Sequence, residues 1–298
     1  MLFVIIPVFN GWSQTRRCLE DLRESRYTAF RTVVVDHGST DGTAAHLDRS
    51  YPEVTRIAAS PELWWSGATN VGIRHALERR ADPIMLLNND CRVPAEMIER
   101  LLHHMASLPV RLAIVAPLAR DGVSGRIRHT HTTTALTLGF PVLELPWPAW
   151  DNPRYLPLRK SRIIMGGRGV VIPREVFERV GMMDEENLPH YWADHDFYHR
   201  CRRAGIPLFL ATDVTVEVDA SRTTLAAGLD RMTWPQFLES LHSQRSHRNW
   251  KSLSAFFRRH YPVPALFFVG VFLNLGRYGL TYLLARIAHW SRLDQVLR

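Results

Sequence analysis

Over the first 220 residues, short apolar runs alternate with amphipathic stretches of helical period. Residues 2–6, 32–35, 57–59, 84–87 and 112–116 are compact apolar runs of strand length. Between them, residues 11–26 place Trp12, Cys18, Leu19 and Leu22 at helical positions, and residues 69–79 do the same with Val71, Ile73 and Leu77. Residues 42–49 and 94–105 complete the helices, the latter opened by Pro94, which a first helical turn accepts. Nearly continuous hydrophobicity in the runs fits strands covered on both faces. The βαβα order predicts an α/β fold with a mostly parallel sheet and helices on both sides.

Residues 119–162 break this rhythm, with Thr132, Thr133 and Thr134 and a proline-rich run over 141–157. They read as an irregular surface excursion, a candidate acceptor loop. Regular spacing returns with a strand at 169–172, helices at 173–180 and 194–204, and a strand at 208–210. Beyond residue 240 the pattern changes again. An uncharged run over 261–276, opened by Pro262 and Pro264, is too short for a membrane-crossing helix. Gly270, Asn274, Arg277, Thr281, Ala285 and Ala288 make a narrow small or polar stripe at helical spacing, with large apolar residues elsewhere. That arrangement predicts a helix lying on a membrane surface, or one packed on the main domain. The boundaries expected are 1–225 for the α/β domain and 226–298 for a basic, apolar helical appendage.

Charge sharpens the division. The net charge is +8, and residues 241–298 hold nine basic residues against one acid, Asp294. The whole excess lies there, which leaves residues 1–240 neutral. A neutral body argues against nucleic-acid binding, and a basic tail suits anionic headgroups. The three cysteines, Cys18, Cys91 and Cys201, are far apart and form no CxxC pair, which suits a reducing compartment. The apolar N-terminus lacks a basic leader and a small-residue cleavage site, and reads as a first strand.

Candidate chemistry gathers at strand ends. Val33-Val34-Val35 runs into Asp36-His37-Gly38-Ser39-Thr40-Asp41-Gly42-Thr43, an acid followed by a turn rich in small residues. Such an acid can accept from a uracil or thymine imide, while Asp41 can equally serve as a helix cap. Leu86-Leu87-Asn88-Asn89-Asp90 places carboxamides and a hard oxygen donor at the carboxyl end of a strand, where open α/β sheets bind ligands. Asp194 and Asp196 stand at i, i+2 on a helix, so one of them at most faces a given pocket. Trp64 and Trp65 suit either stacking or core packing. His129 and His131 lack a third ligand nearby and read as surface residues.

Ile5-Ile6-Pro7-Val8-Phe9-Asn10, the Asp36–Thr43 turn, Gly67-Ala68-Thr69-Asn70-Val71-Gly72-Ile73 and Leu86-Leu87-Asn88-Asn89-Asp90 resemble, in order, the motifs of family 2 glycosyltransferases. Gly166-Gly167-Arg168-Gly169 with residues 174–181, then Asp194-His195-Asp196 with residues 200–205, extend the resemblance over about residues 2–225. It implies a GT-A fold and inverting transfer from a nucleotide-diphosphate sugar, UDP- or dTDP-linked, to a saccharide or lipid-linked acceptor in surface polysaccharide synthesis. Pro7, Phe9, Asp36, Gly67, Asn70 and Asn88 would bind the donor. Asp90 would hold Mg2+ or Mn2+ on the diphosphate. Asp194 would be the general base, with Gly167, Arg168, Trp192 and Asp196 on the acceptor side. The implied location is cytoplasmic, on the inner face of the membrane.

The chain also departs from that family. Asn88 replaces the first carboxylate of the DxD motif, and no histidine follows the last strand, where Glu217 and Asp219 are the available oxygen donors. Ala193 stands before Asp194 where many relatives have Glu, and Trp64-Trp65 replaces a smaller pair. Two other readings stay open: a nucleotidyltransferase, against which stands the absence of a glycine-rich basic loop after the first strand, and a non-catalytic nucleotide-sugar-binding protein.

Overall fold

The computed structural model describes residues 1–128, 132–144, 157–219, 229 and 232–296. His129, His131, much of the proline-rich run and the expected boundary at 225 lie outside the described residues. The chain divides into two compact units. The first holds Met1–Thr133, Glu144–Pro189 and Ala193–Ala220; the second holds Thr134–Leu143, His190–Trp192 and Ser221–Arg298.

In the first unit, β1 (Leu2–Val8), β2 (Phe30–Asp36), β3 (Thr55–Ala58) and β4 (Ile84–Leu87) alternate with α1 (Trp12–Arg23), α2 (Thr43–Ser50) and α3 (Trp64–Glu78). After them come β5 (Cys91–Arg92), α4 (Met97–Ala106), β6 (Ile114–Asp121) and β7 (Ile127–Arg128). β8 (Thr132–Ala135) and β9 (Phe140–Glu144) form a separate two-stranded sheet that falls mostly in the second unit. β10 (Leu158–Ser161), β11 (Arg168–Ile172), α5 (Arg174–Val180), α6 (Ala193–Arg203) and β12 (Leu208–Val218) follow.

Among the described residues one ten-stranded sheet runs β10-β12-β6-β11-β4-β1-β2-β3, with β5 paired to β12 and β7 to β6. β1 to β4 are mutually parallel where they pair, and β6 is parallel to β12. β11 runs antiparallel between β4 and β6. The expected strands and helices are present, but the sheet is mixed: β11 is reversed at its centre, and β5, β7 and β10 also run antiparallel to their partners. All seven residues of β1 are buried, as a strand covered on both faces requires. Each fully buried Ile or Val there contributes about 1.5–3 kcal/mol. α3 crosses β1 closely at Gly72: a Cβ at that position would stand 2.2 Å from the Ile5 side chain.

The excursion over 119–162 is less irregular than its sequence suggests. It contains β7 to β10, strands of two to five residues whose Thr, Arg and Pro content gives no alternation to detect. β12 is also longer than expected, because outward Asp213 and Glu217 interrupt its apolar run while Val214, Val216 and Val218 stay buried.

The second unit contains α7 (Trp234–His242), α8 (Trp250–His260) and α9 (Phe267–Val296). Thr233 and Gln236 form a reciprocal capping box at the start of α7, and Asn249 caps α8 through the Lys251 and Ser252 amides. The apolar part of α9 does not stop at Gly276. With the turn before it, Pro264–Ile287 is a span of 24 residues whose most apolar window has mean hydropathy 1.3, long and apolar enough to cross a membrane by length and composition. The run looked too short because Arg277 interrupts it. In the structure Arg277 lies over the Phe140 ring at 4.5 Å and the Tyr278 ring at 4.6 Å. Gly270, Asn274 and Tyr282 are buried, whereas Phe268, Phe272, Leu280, Leu283, Leu284 and Ile287 are exposed.

Candidate active site

The polar residues singled out above sit where β1, β2 and β4 end. Asp36 is buried, and its carboxylate accepts from the Ser39 amide at 2.9 Å. Asn10 ties the end of β1 to the same turn: its amide donates to Ser39 Oγ at 2.8 Å, and its Oδ1 accepts from the Thr40 amide at 2.7 Å. Asp41 caps twice, accepting from the Trp12 amide at 2.9 Å and from Thr43 Oγ1 at 2.6 Å. Phe9 projects from the end of β1, 42% exposed, and stacks on His37 with ring centroids 5.4 Å apart. Burial holds the His37 imidazole below its usual pKa, with Asp36 opposing, which favours a neutral ring. An anchored acid beside an exposed aromatic is a ready nucleobase platform.

Beyond β4, Asn88 is pinned from both sides. Its amide donates to the Gly167 carbonyl at 2.6 Å, and its side-chain Oδ1 accepts from Trp65 Nε1 at 3.0 Å. Gly167 permits this approach: a Cβ there would stand 3.2 Å from Asn88 Oδ1 and 3.3 Å from Trp65 Cζ2. Asn89 donates to Thr15 Oγ1 at 2.9 Å, fastening the strand end to α1.

Asp90 and Asp219 are brought together by the pairing of β5 with β12, and the Asp219 amide donates to the Asp90 carbonyl at 2.9 Å. Both line a cleft with Gln14, Arg17, Arg92 and Glu217. Burial raises the Asp90 pKa, Arg168 opposes the rise, and Asp219 adds to it. A buried carboxylate near a second one favours a cation, so this donor pair fits a hard divalent ion. Trp65 already engages one of the two lone pairs of the Asn88 side-chain oxygen. Among the described residues no three ligating side chains converge.

Asp194 opens α6. Its Oδ2 accepts from the Gly166 amide at 2.6 Å, and its Oδ1 lies 2.7 Å from His195 Nδ1. Burial alone would raise its pKa, but the His195 charge and hydrogen bond and the Gly166 N–H outweigh it and hold the carboxyl below the usual range. Asp194 is therefore ionised and oriented. Gly166 and Gly167 join it to Asn88, since one backbone amide meets the carboxylate and the next carbonyl meets Asn88.

Several expected site residues have other duties. Pro7 is buried within β1, in register with Val35. Gly67 is buried in the first turn of α3, where a Cβ would press on Leu63 at 2.9 Å. Asn70, expected in the donor pocket, clasps the loop before α6: its Nδ2 donates to the Met183 carbonyl and Glu185 Oε2, and its Oδ1 accepts from the Met183 amide. Asp196, expected toward the acceptor, is fully buried in an ion pair with Arg200 at 2.8 Å. Trp192, also expected there, belongs to the second unit, where its Nε1 donates to the His247 carbonyl at 3.0 Å and its ring packs on Phe256. Gly167 and Arg168 flank Asn88 and Asp90. Trp65 was the residue whose part at the site went unread. Its signal was an indole N–H that needs a partner once the ring is partly buried.

Residues 3–181 match the Glycosyl transferase family 2 pattern, and the chain belongs to that family and is a glycosyltransferase. The fold is GT-A. Among curated relatives, the chain is 28% identical to the dTDP-rhamnosyl transferase RfbF of Shigella flexneri over 72% of this chain and 67% of that one. It is 24% identical to the N-acetylglucosaminyl-diphospho-decaprenol L-rhamnosyltransferase of Mycobacterium tuberculosis, over 69% and 71% of the two chains. Among solved structures it resembles the mannosyltransferase PcManGT of Pyrobaculum calidifontis in complex with GDP-Man and Mn2+, with TM-score 0.58, 15% identity, and 97% and 75% coverage. GalNAc-T7 with UDP, GalNAc and Mn2+ has TM-score 0.61 at 13% identity, covering 95% and 54%.

Proposed function

We propose that the protein transfers a sugar, with inversion, from a UDP- or dTDP-linked donor to a saccharide or lipid-linked saccharide acceptor in cell-surface polysaccharide synthesis. The observation that carries this reading is the tie from Asp194 through Gly166 and Gly167 to Asn88. It couples an ionised carboxylate rigidly to the polar end of β4. Inversion needs a base on the face of the sugar opposite the leaving diphosphate. Asp194 takes the acceptor hydroxyl's proton, while Gly166 and His195 hold its two oxygens in place. Asp36 and Phe9 hold the base of the nucleotide. Asp90 and Asp219 would hold Mg2+ or Mn2+, which when bound neutralises charge on the departing diphosphate. The rhamnosyltransferase relatives favour a dTDP-deoxyhexose donor. The test is thermal shift and donor hydrolysis with UDP-, dTDP- and GDP-sugars plus Mn2+ or Mg2+. Stabilisation by one nucleotide class is expected; no stabilisation by any of them would refute donor binding.

The second unit supports work at the inner face of the cytoplasmic membrane. Only 17% of the most apolar window of Pro264–Ile287 is buried. Lys251, Arg258 and Arg259 lie on the neighbouring α8 and Arg286 on α9 itself, a composition that suits anionic lipid. The free Cys18, Cys91 and Cys201 suit a reducing compartment. The protein should co-sediment with anionic vesicles, and Phe272→Asp with Leu280→Asp should release it. Unchanged sedimentation of that double variant would remove α9 as the anchor.

A further inference from the structure

We infer that the donor diphosphate is gripped directly by the Arg168 guanidinium and the Asn88 side-chain amide, so that nucleotide binding outlasts removal of the divalent ion. The inference rests on the donor-binding reading above and deepens it.

Two hydrogen-bond donors beside Asp90 are unused by the protein. The first is Asn88. Trp65 Nε1 can only donate, so the side-chain atom it meets at 3.0 Å must be the amide oxygen. That fixes the other end of the side chain as an NH2 group with two N–H bonds to offer, and Trp65 acts as its positioning residue. Gly167 leaves room for the clasp, because any side chain there would crowd both Asn88 Oδ1 and Trp65.

The second is Arg168. It starts β11 opposite Leu87, one residue before Asn88 on the adjoining strand. It is half-buried and makes no hydrogen bond or ion pair with the described residues. Its charge nevertheless reaches Asp90 and Cys91. A guanidinium with its donors unspent, aimed at the end of a nucleotide-type strand, matches a phosphate in both charge and geometry. Two of the departures from the family motif, Asn88 and Trp65, are thereby connected. Where the motif's first carboxylate would face the diphosphate as an anion, this chain presents an N–H donor, and a cation stands next to it. Asp90 and Asp219 alone repel a diphosphate. Arg168 and Asn88 offset that repulsion without an ion.

The test is calorimetric titration of the full-length protein with UDP and dTDP, in Mn2+ and in EDTA. Wild type should bind one of them in EDTA within about tenfold of its affinity in Mn2+. Arg168→Gln should weaken the EDTA affinity about ten- to hundredfold, the loss of one or two charge-assisted hydrogen bonds, and Arg168→Lys should recover part of it. Asn88→Asp keeps an acceptor for Trp65 but turns an oxygen to the diphosphate, so its binding should become strictly ion-dependent. Trp65→Phe should weaken binding in EDTA several-fold. Unchanged melting curves would show that these variants are folded. Binding in Mn2+ but none in EDTA, or wild-type affinity of Arg168→Gln and Asn88→Asp in EDTA, would overturn the inference and leave donor binding intact. Absence of binding in both buffers would instead refute the donor-binding reading.

Discussion

Replacing Asp194 with Asn removes the proposed base while changing almost nothing in shape. The carboxylate makes two short contacts, 2.6 Å to the Gly166 amide and 2.7 Å to His195 Nδ1. Hydrogen bonds to a charged group contribute roughly 1.5–3 kcal/mol each and neutral ones about 1. In the amide, Oδ1 keeps the Gly166 bond, and Nδ2 faces His195 Nδ1. Both contacts survive as neutral bonds, so the cost to stability is about 1–3 kcal/mol. The cost to catalysis is larger, since losing a general base removes about a hundred- to ten-thousandfold in rate. The assay pairs sugar transfer, followed by nucleotide release, with calorimetric binding of the nucleotide donor. Turnover should fall by that factor while donor affinity stays within about twofold. Turnover within tenfold of wild type would refute Asp194 as base. A parallel loss of donor affinity would make it a binding group instead.

The same carboxylate predicts a pH dependence of stability. Its folded pKa lies below the ordinary 3.8, so its stabilisation is complete above that value and is lost as pH falls through the folded one. The gap in melting temperature between wild type and Asp194→Asn should therefore be constant near neutrality and narrow in acid; a gap constant to pH 3 or so would contradict the linkage. Asp196→Ala should cost about 3–5 kcal/mol, because it strands the Arg200 guanidinium that also donates to the Val180 and Met182 carbonyls; a urea midpoint close to wild type would show the pair to be dispensable. Gly72→Ala should cost about 1–3 kcal/mol through the 2.2 Å approach to Ile5, read as a lower thermal midpoint, and an unchanged midpoint would mean that α3 slides freely on β1.

Most strands and helices of residues 1–118 were legible because the central strands are buried on both sides and the lengths are ordinary; the two-residue β5 was too short to leave a pattern. Strand ends pointed to Asp36, Asn88, Asp90 and Asp194 for the same reason: polar residues directly after apolar runs stand out. Direction was not legible, since Gly169 to Ile172 reads as an apolar strand whichever way it runs, and that hid the placement of Arg168 beside Asp90. Nor could spacing show which polar groups the protein uses for itself. Asn70 and Asp196 sit in positions as promising as Asn88 and Asp194, but Met183 and Glu185 come from a loop that only the fold brings to Asn70, whereas Arg200, at i+4 from Asp196 on the expected helix, was a partner the spacing offered. The contacts of Trp192 were hidden for the same reason, since His247 and Phe256 come from the far end of the chain.

The reversed strand β11 bears on how such a protein can diversify. β6 leaves the sheet at the same rim where β11 re-enters it, and between them β7 pairs back onto β6 and β10 onto β12. The anchor points are two neighbouring strands, and lengthening the segment adds only about 0.6 kcal/mol of closure entropy per doubling. Length in this stretch is therefore cheap to change. A recombination event, or an engineer, can lengthen or shorten it between β7 and β10, provided that Gly166 and Gly167, which hold Asp194 and Asn88, are kept.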